Sequence, residues 1–430
     1  MGKKVAFKTL GCRLNQYETD ALISKFSKQG YEVVDFSEEA DAYVVNTCTV
    51  TNQSDHKSRN LISQAARRTD KGMVVVTGCM ANAQKEQLEQ QDHISYVVDN
   101  ERKSSVFSLV DGHFKGEVVH PNDYAEDKFG FPLGEITKHV RSLIKIHDGC
   151  NNFCTFCIIP FVRGRATSRP VQSVLDNITQ VIQKGFKEVV LTGVNIGRYE
   201  ADGSSFEDLV EQILGLPGDF RVRISSIEPE GFGDKLYGLL KHPKLTPHMH
   251  ICLQSGSEKV LLKMRRMYTA RGFQEMMDRI KEFRPDMNLT TDIIVGFPGE
   301  TEEDFLDTVN MVKEIGFSHV HTFKYSEREG TRSARMTDQV DEKVKNERSE
   351  VIRLLAEENK RAYRSSFIGQ SQRILIEKVG KEYAIGHGEH FLPIRIPSEN
   401  IEKNTYYDVE ITGIEDGDDP NLIASTGGTT

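Results

Sequence analysis

The residues with the clearest chemical potential are the cysteines of Cys150-Asn151-Asn152-Phe153-Cys154-Thr155-Phe156-Cys157, a CxxxCxxC loop after the strand-like run Val140 to His147. Thiolates are soft ligands that suit iron–sulfur clusters or zinc. Three of them on a four-iron cluster leave the fourth iron without a protein ligand, open to the amino and carboxylate groups of S-adenosylmethionine (SAM). An electron passed from such a cluster into the sulfonium breaks a carbon–sulfur bond and releases a 5'-deoxyadenosyl radical, chemistry that belongs to the cofactor rather than to side chains. Zinc is the competing reading, but a structural zinc site wants four ligands. No fourth cysteine or well-spaced histidine follows nearby, and His147 lies three residues upstream on the strand.

Three more cysteines close strand-like runs at turns that precede helical patterns, within Thr9-Leu10-Gly11-Cys12, Asn46-Thr47-Cys48 and Thr77-Gly78-Cys79. Parallel strands share one carboxyl edge, where ligands of open α/β sheets sit, so these three can converge in space. Each alone reads equally as a buried cysteine acting as a small hydrophobe. Three at equivalent strand ends, two of them after glycine, point to shared ligation.

The elements that position these residues follow from periodicity. β-branched runs at Val5 to Leu10, Tyr31 to Phe36, Ala42 to Val50, Met73 to Met80 and Tyr96 to Val98 alternate with helical patterns, which predicts a parallel α/β domain over residues 1–112. A linker over 113–138 lacks clear periodicity. From Val140 a strand-then-helix pattern recurs at Lys187 to Val194, Phe220 to Ile227, Met249 to Leu253, Asn288 to Val295 and Phe317 to Tyr325. The fold class is therefore multidomain α/β, with a central incomplete (β/α)6 barrel over 139–366 that ends in a long amphipathic helix. Residues 367–430 carry short alternating runs and turn signals that predict a small β-barrel.

Barrel active sites collect at the carboxyl ends of strands. Those ends hold Thr192-Gly193-Val194-Asn195, Ser225-Ser226-Ile227-Glu228-Pro229, Gln254-Ser255-Gly256-Ser257 and Asp292-Ile293-Ile294-Val295-Gly296. Glycines there let a ligand approach the backbone, and Glu228 or Gln254 can bond to a ribose or a methionyl group.

Composition bounds the function. At 430 residues with 38% hydrophobic content the chain can bury more than one core, and it has no long apolar run or signal-peptide pattern, so a cytoplasmic location without membrane attachment is expected. Seven cysteines, an odd number, fit metal ligation in a reducing compartment better than a disulfide framework. A net charge of -9 gives no global attraction to nucleic acid, so RNA contacts must come from local basic patches.

The CxxxCxxC loop with Phe156 before its last cysteine, together with three earlier cysteines in such settings, resembles the methylthiotransferases of the radical SAM superfamily over nearly the whole chain. Within that family, Thr9-Leu10-Gly11-Cys12-Arg13-Leu14-Asn15-Gln16-Tyr17-Glu18-Thr19-Asp20 and Val45-Asn46-Thr47-Cys48-Thr49-Val50-Thr51 resemble the members that act on threonylcarbamoyladenosine of tRNA. The resemblance implies two [4Fe-4S] clusters and SAM, with Cys150, Cys154 and Cys157 holding the SAM-cleaving cluster and Cys12, Cys48 and Cys79 an auxiliary one. Phe156, Gly193, Asn195, Ser226, Glu228, Gln254, Arg266 and Ile294 are the expected SAM-binding residues. Cys252, in Ile251-Cys252-Leu253, matches neither set and reads as a packed strand residue. The implied reaction uses one SAM to methylate sulfur at the auxiliary cluster and another to make the radical that removes hydrogen from carbon 2 of adenine. Both clusters must then face one cavity, so the first domain is expected to cover the barrel mouth.

The implied partners are the tRNA anticodon loop, a reducing electron donor and a sulfur source, and a monomer is expected. Arg163, Arg165, Arg169, Arg328 and Arg332 are the expected phosphate contacts, with Lys57, Arg59, Arg67, Arg68, Arg265 and Arg266 as further candidates. The last segment resembles a TRAM domain by its position, yet residues 367–430 hold 5 Lys or Arg against 11 Asp or Glu, a balance of -6. That confines any RNA contact to a face around Lys378, Lys381 and Arg395. Two alternatives stay open: the same chemistry on isopentenyladenosine of tRNA or on a ribosomal-protein aspartate, and a non-catalytic iron–sulfur RNA-binding protein.

Overall fold

A computed structural model describes residues 2–69, 72–131, 140–417 and 419–426. The first domain is a five-stranded parallel sheet of β1 (Lys4–Thr9), β2 (Glu32–Val34), β3 (Ala42–Thr47), β4 (Met73–Gly78) and β5 (Tyr96–Val98), in the order β2-β1-β3-β4-β5. β3 and β4 are buried along their whole length, as continuous Val-rich runs covered on both faces must be. The helices α1 (Arg13–Lys28), α2 (Asn52–Arg68) and α3 (Cys79–Ala83) follow β1, β3 and β4. With β1 flanked by β2 and β3, the strand order reverses between β1 and β3, which puts Cys12 and Cys48 at a topological switch point.

The helix Val106–Phe114 runs across the boundary expected at residue 112, because its apolar face completes the core beside β1 and α1. Of the expected linker, 132–138 lie outside the described residues.

The central domain is an open arc of six parallel strands: Arg141–Lys145, Glu188–Thr192, Arg221–Ile224 continued by Ser226–Ile227, His248–Ile251, Asn288–Val295 and His319–Lys324. The third is interrupted at Ser225, and its two halves pair with different neighbours, the first with Glu188–Thr192 and the second with His248–Ile251. Intervening helices bury Val174, Ile178, Leu209, Ile213, Phe273 and Ile280 against the arc. The helix Glu342–Ser365 closes the domain, inserting Ile352, Leu355 and Ala356 into the same core.

Beyond it, strands Ser371–Val379, Tyr383–His387, Pro393–Pro397, Tyr406–Ile414 and Leu422–Thr426 form a closed barrel around Ile374, Ile376, Ile394, Ile396 and Val409. This small barrel seals the end of the arc where the strands begin. Arg221 donates to the carbonyls of Arg373 (3.2 Å) and His387 (2.9 Å), Asn288 Nδ2 donates to His390 O (2.5 Å), and Tyr406 Oη donates to Lys187 O (2.6 Å).

Candidate active site at the junction of three domains

Cys12 is the N-cap of α1, Cys48 follows β3 and Cys79 opens α3, so all three sit on one carboxyl edge. A polar brace fixes that edge. Asn15 Nδ2 donates to Leu10 O (2.8 Å) and Thr47 O (3.0 Å), and Thr47 Oγ1 donates to Thr77 O (2.6 Å), tying the ends of β1, β3 and β4 together. Gly11 is required by space as well as by its φ of +94°, since a Cβ there would stand 2.9 Å from Cys48 Cβ and 3.0 Å from its Sγ. Burial raises the thiol pKa of Cys48 and Cys79, and the neighbouring thiols of the set raise both further. Three soft donors that repel one another as thiolates fit a cationic metal centre.

The Cys150 loop leaves the first barrel strand through Gly149, where a Cβ would lie 2.0 Å from Arg165 O. Cys150 N donates to Gly164 O (3.1 Å), and Thr155 N to Met264 O (3.0 Å). N–H donors converge on the sulfurs: Arg266 Nη1 lies 3.2 Å from Cys154 Sγ, Asn152 N 3.5 Å from Cys150 Sγ, and Asn195 Nδ2 3.9 Å from Cys150 Sγ. Burial, then Cys154, push the Cys157 thiol up to about 12. Such donors stabilise ligating thiolates, so this set also fits an iron–sulfur cluster.

Of the residues expected around SAM, Asn195, Arg266 and Glu228 gather beside these sulfurs. Arg266 is paired with Glu228 and bonds Tyr268 Oη at 2.9 Å, and Asn195 Oδ1 is buried without a partner among the described residues. Phe156 packs edge-on against Phe297, in a cluster that includes Ile294. Gln254 adopts a φ of +70° and exchanges backbone hydrogen bonds with Asp292 O (2.8 Å) and Ile294 N (2.9 Å). Gly193 and Ser226 line a cavity of about 740 Å³, and so does Cys12. The first domain thus presents Cys12 to the barrel interior, with Cys48 and Cys79 buried behind it. Cys252 is buried, with Sγ 3.9 Å from Asp292 Oδ2, so it faces a carboxylate as well as apolar neighbours.

Three of the five arginines expected on phosphates are internal. Arg163 is 1% exposed and reaches Glu18 (3.2 Å) and Asp148 (3.0 Å), while its Nη2 donates to Asn15 Oδ1 (2.6 Å). Arg169 bonds Ser173 (2.9 Å) and Asn177 (2.8 Å). Arg328 crosses to the first domain, donating to Asp55 (2.6 Å), Thr49 O (3.1 Å) and Asn52. An arginine's place in the sequence does not distinguish a side chain offered to solvent from one bonded inside the fold: Arg163 and Arg328 pair with carboxylates of the first domain, and Arg169 bonds side chains of the helix that follows it. Arg165 and Arg332 are exposed, and Arg165 lies over the Phe153 ring (4.6 Å). Lys57, Arg59 and Arg265 are also exposed.

Sequence reasoning missed the histidines of the cavity, His248, His250, His319, His321 and His387. Burial lowers the pKa of His248 well below its usual value, and that of His319 to about 4, so these line the cavity as neutral imidazoles. The signal was available, because His248/His250 and His319/His321 are pairs two apart on strands and must share a face. Also missed was Arg13, which lines the same cavity beside Cys12.

The "Radical SAM superfamily" family model matches residues 144–312, and that of "Uncharacterized protein family UPF0004" matches 4–99. The chain is 40% identical over 390 residues to the threonylcarbamoyladenosine tRNA methylthiotransferase MtaB of Bacillus subtilis, covering 88% of this chain and 86% of that one. The chain belongs to the radical SAM methylthiotransferases. The Aquifex aeolicus MtaB is 38% identical, covering 87% of this chain and 92% of its own. The tRNA-2-methylthio-N(6)-dimethylallyladenosine synthase of Fusobacterium nucleatum is 36% identical, covering 88% and 89%. Among solved structures, the radical SAM methyltransferase TsrM from Kitasatospora setae, with cobalamin and a [4Fe-4S] cluster bound, covers 75% of each chain with a TM-score of 0.54 and 17% identity, a likeness of fold alone. The methylthiotransferase assignment accounts for the pairing of the two folded units: a cysteine-bearing sheet edge closed over a radical SAM barrel.

Proposed function

We propose that this methylthiotransferase transfers a methylthio group to carbon 2 of N6-threonylcarbamoyladenosine beside the tRNA anticodon, with SAM as methyl donor and radical source. The observation that carries the reading is the shared cavity, which Cys12 lines from one side and Gly193 and Ser226 from the barrel. The names of the Bacillus and Aquifex relatives support the threonylcarbamoyl substrate. Two [4Fe-4S] clusters, one held by Cys150, Cys154 and Cys157 and one by Cys12, Cys48 and Cys79, would supply the electron for SAM cleavage and the site of sulfur methylation.

The chain's own residues bind, orient and shield. Arg266 and Asn195 donate to the sulfurs of Cys154 and Cys150, which sets the electrostatics of that site, and the Arg266–Glu228 pair fixes the guanidinium. Gly193 has no room for a side chain, since a Cβ would lie 2.6 Å from His147 O, so the glycine lets this strand end pack closely against His147. His248 and His319, whose pKa burial lowers, offer hydrogen bonds without charge to a purine edge. The first domain and the small barrel wall the cavity on two sides and exclude water, which protects a radical from quenching. An adenosine beside an anticodon lies in a loop whose bases can be splayed out into such a pocket.

The direct test is anaerobic incubation of the reconstituted protein with SAM, a reductant and stem–loop RNAs bearing either threonylcarbamoyladenosine or isopentenyladenosine, read by nucleoside mass spectrometry. The methylthio product from the first RNA alone supports the reading. Product from the second alone moves the substrate to isopentenyladenosine, and product from neither, with SAM cleaved, leaves a protein substrate.

A further inference from the structure

Next to the reaction cavity lies a second one of about 320 Å³, lined by Arg13, Arg141, Arg223, Lys378, Lys403 and Glu377 together with apolar residues that include Phe391. Arg13 and Phe391 belong to both cavities, so the two are neighbours. Among the described residues, five cations and one carboxylate line it. Glu377 is engaged by Arg141 and His387, and Glu188, behind the wall, is shared by Arg141, Arg221 and Arg223. Among the described residues, the four guanidiniums of Arg13, Arg141, Arg221 and Arg223 therefore outnumber the two carboxylates that serve them.

Arg223 shows what is missing. Its side chain is 1% exposed and its Nε donates to Glu188 (2.8 Å), but Nη1 and Nη2 are both buried without a hydrogen-bond partner among the described residues. A fully buried guanidinium with two unused donors carries a desolvation cost that a bound anion would offset. Phe391 lies 4.1 Å beneath Arg223, 4.9 Å from Arg141 and 6.0 Å from Arg13, so three guanidinium groups share one ring, and of these Arg141 is already paired with Glu377 and Glu188.

We infer that Arg13 and Arg223 form an anion subsite that takes the free carboxylate at the end of the threonylcarbamoyl group. The inference rests on the threonylcarbamoyladenosine reading and deepens it. A base held in the main cavity beside Cys12 would direct its N6 substituent past Arg13 into this pocket, and a planar guanidinium matches a carboxylate with two parallel hydrogen bonds. An uncharged isopentenyl group would leave these donors unpaired, so the pocket discriminates between the two modified bases. An RNA phosphate shares the anion chemistry, and the test separates the two.

The experiment measures binding of the reconstituted enzyme to two stem–loop RNAs that differ only in the threonyl carboxylate, kept as the acid in one and converted to the primary amide in the other. The wild type is expected to bind the acid RNA roughly tenfold tighter or better, the range of a charge-assisted hydrogen bond. Arg13→Gln should bring the acid RNA to the affinity of the amide RNA and leave the amide RNA unchanged. Arg223→Lys, which keeps the charge and removes the fork, should narrow the preference without abolishing binding. Equal weakening of both RNAs by Arg13→Gln assigns the pocket to a phosphate and overturns the inference. So does equal binding of acid and amide by a wild type that still methylthiolates the acid RNA, which leaves the substrate reading intact. Methylthiolation of isopentenyladenosine RNA alone overturns that reading and the subsite with it.

Discussion

Arg163 Nη1 stands 3.2 Å from Glu18 Oε1 and 3.0 Å from Asp148 Oδ2, so one buried guanidinium joins the segment after the Cys150 set to the helix that starts at Cys12. Glu18 also receives Lys103 (2.5 Å) and Lys145 (2.8 Å), and Lys145 pairs with Asp148 (2.6 Å). The two cysteine sets are thereby positioned by a single charge network. Replacing Arg163 with Met strands carboxylates that burial has already desolvated. The expected cost is about 3–5 kcal/mol, measured by denaturant unfolding.

The same network sets a pH dependence. Complete burial by itself raises the Glu18 pKa, but Arg163, Lys103 and Lys145 outweigh it and hold the carboxyl well below its ordinary 4.5. With the folded pKa depressed, the stabilisation is fully present above the ordinary value and is lost as the pH falls below it. Unfolding midpoints measured downward from about pH 6 should drop less steeply in Glu18→Gln than in the parent.

Arg328 is the second clasp between the domains, paired with Asp55 at 2.6 Å. Arg328→Gln should leave reductive SAM cleavage, which needs only the barrel, and lower methylthio transfer by about tenfold or more as the cysteine edge loses its seat. Parallel assays of 5'-deoxyadenosine and methylthio product would show the split.

Cys154→Ala should abolish SAM cleavage, whereas Cys12→Ala should keep abortive cleavage and lose methylthio transfer. Gly11→Ala should behave like Cys12→Ala, because its Cβ would press on the Cys48 side chain. Iron analysis should find roughly half the parent's iron in that variant.

For RNA, the exposed Arg165 and Arg332 should each lower the salt slope of tRNA binding by about one when changed to Gln. Arg169→Gln should leave the slope unchanged, since that side chain is spent on Ser173 and Asn177.

Much of the fold is legible in the sequence because it rests on local periodicity. The Val-rich runs of β3 and β4 and the strand–helix alternation from Val140 onward each mark an element, and the largest miss at these strand ends is β3, read to Val50 and ending at Thr47. Cys12, Cys48 and Cys79 are readable as a set because parallel strands bring their carboxyl ends together whatever the loops between them do. What cannot be read is pairing across domains. Nothing near Arg163 announces Glu18, and nothing near Arg223 announces Phe391, because each meets its partner only once three separately folded units are docked. Arg328 reads in the sequence as a phosphate contact, whereas its partner Asp55 lies far away in sequence, on a helix of the first domain.

The threonylcarbamoyladenosine substrate is decided by mass spectrometry of tRNA nucleosides from a strain deleted for this protein, with and without the gene restored. 2-Methylthio-threonylcarbamoyladenosine should disappear on deletion and return on restoration, but not with Cys12→Ala. Unchanged levels across all three would contradict it.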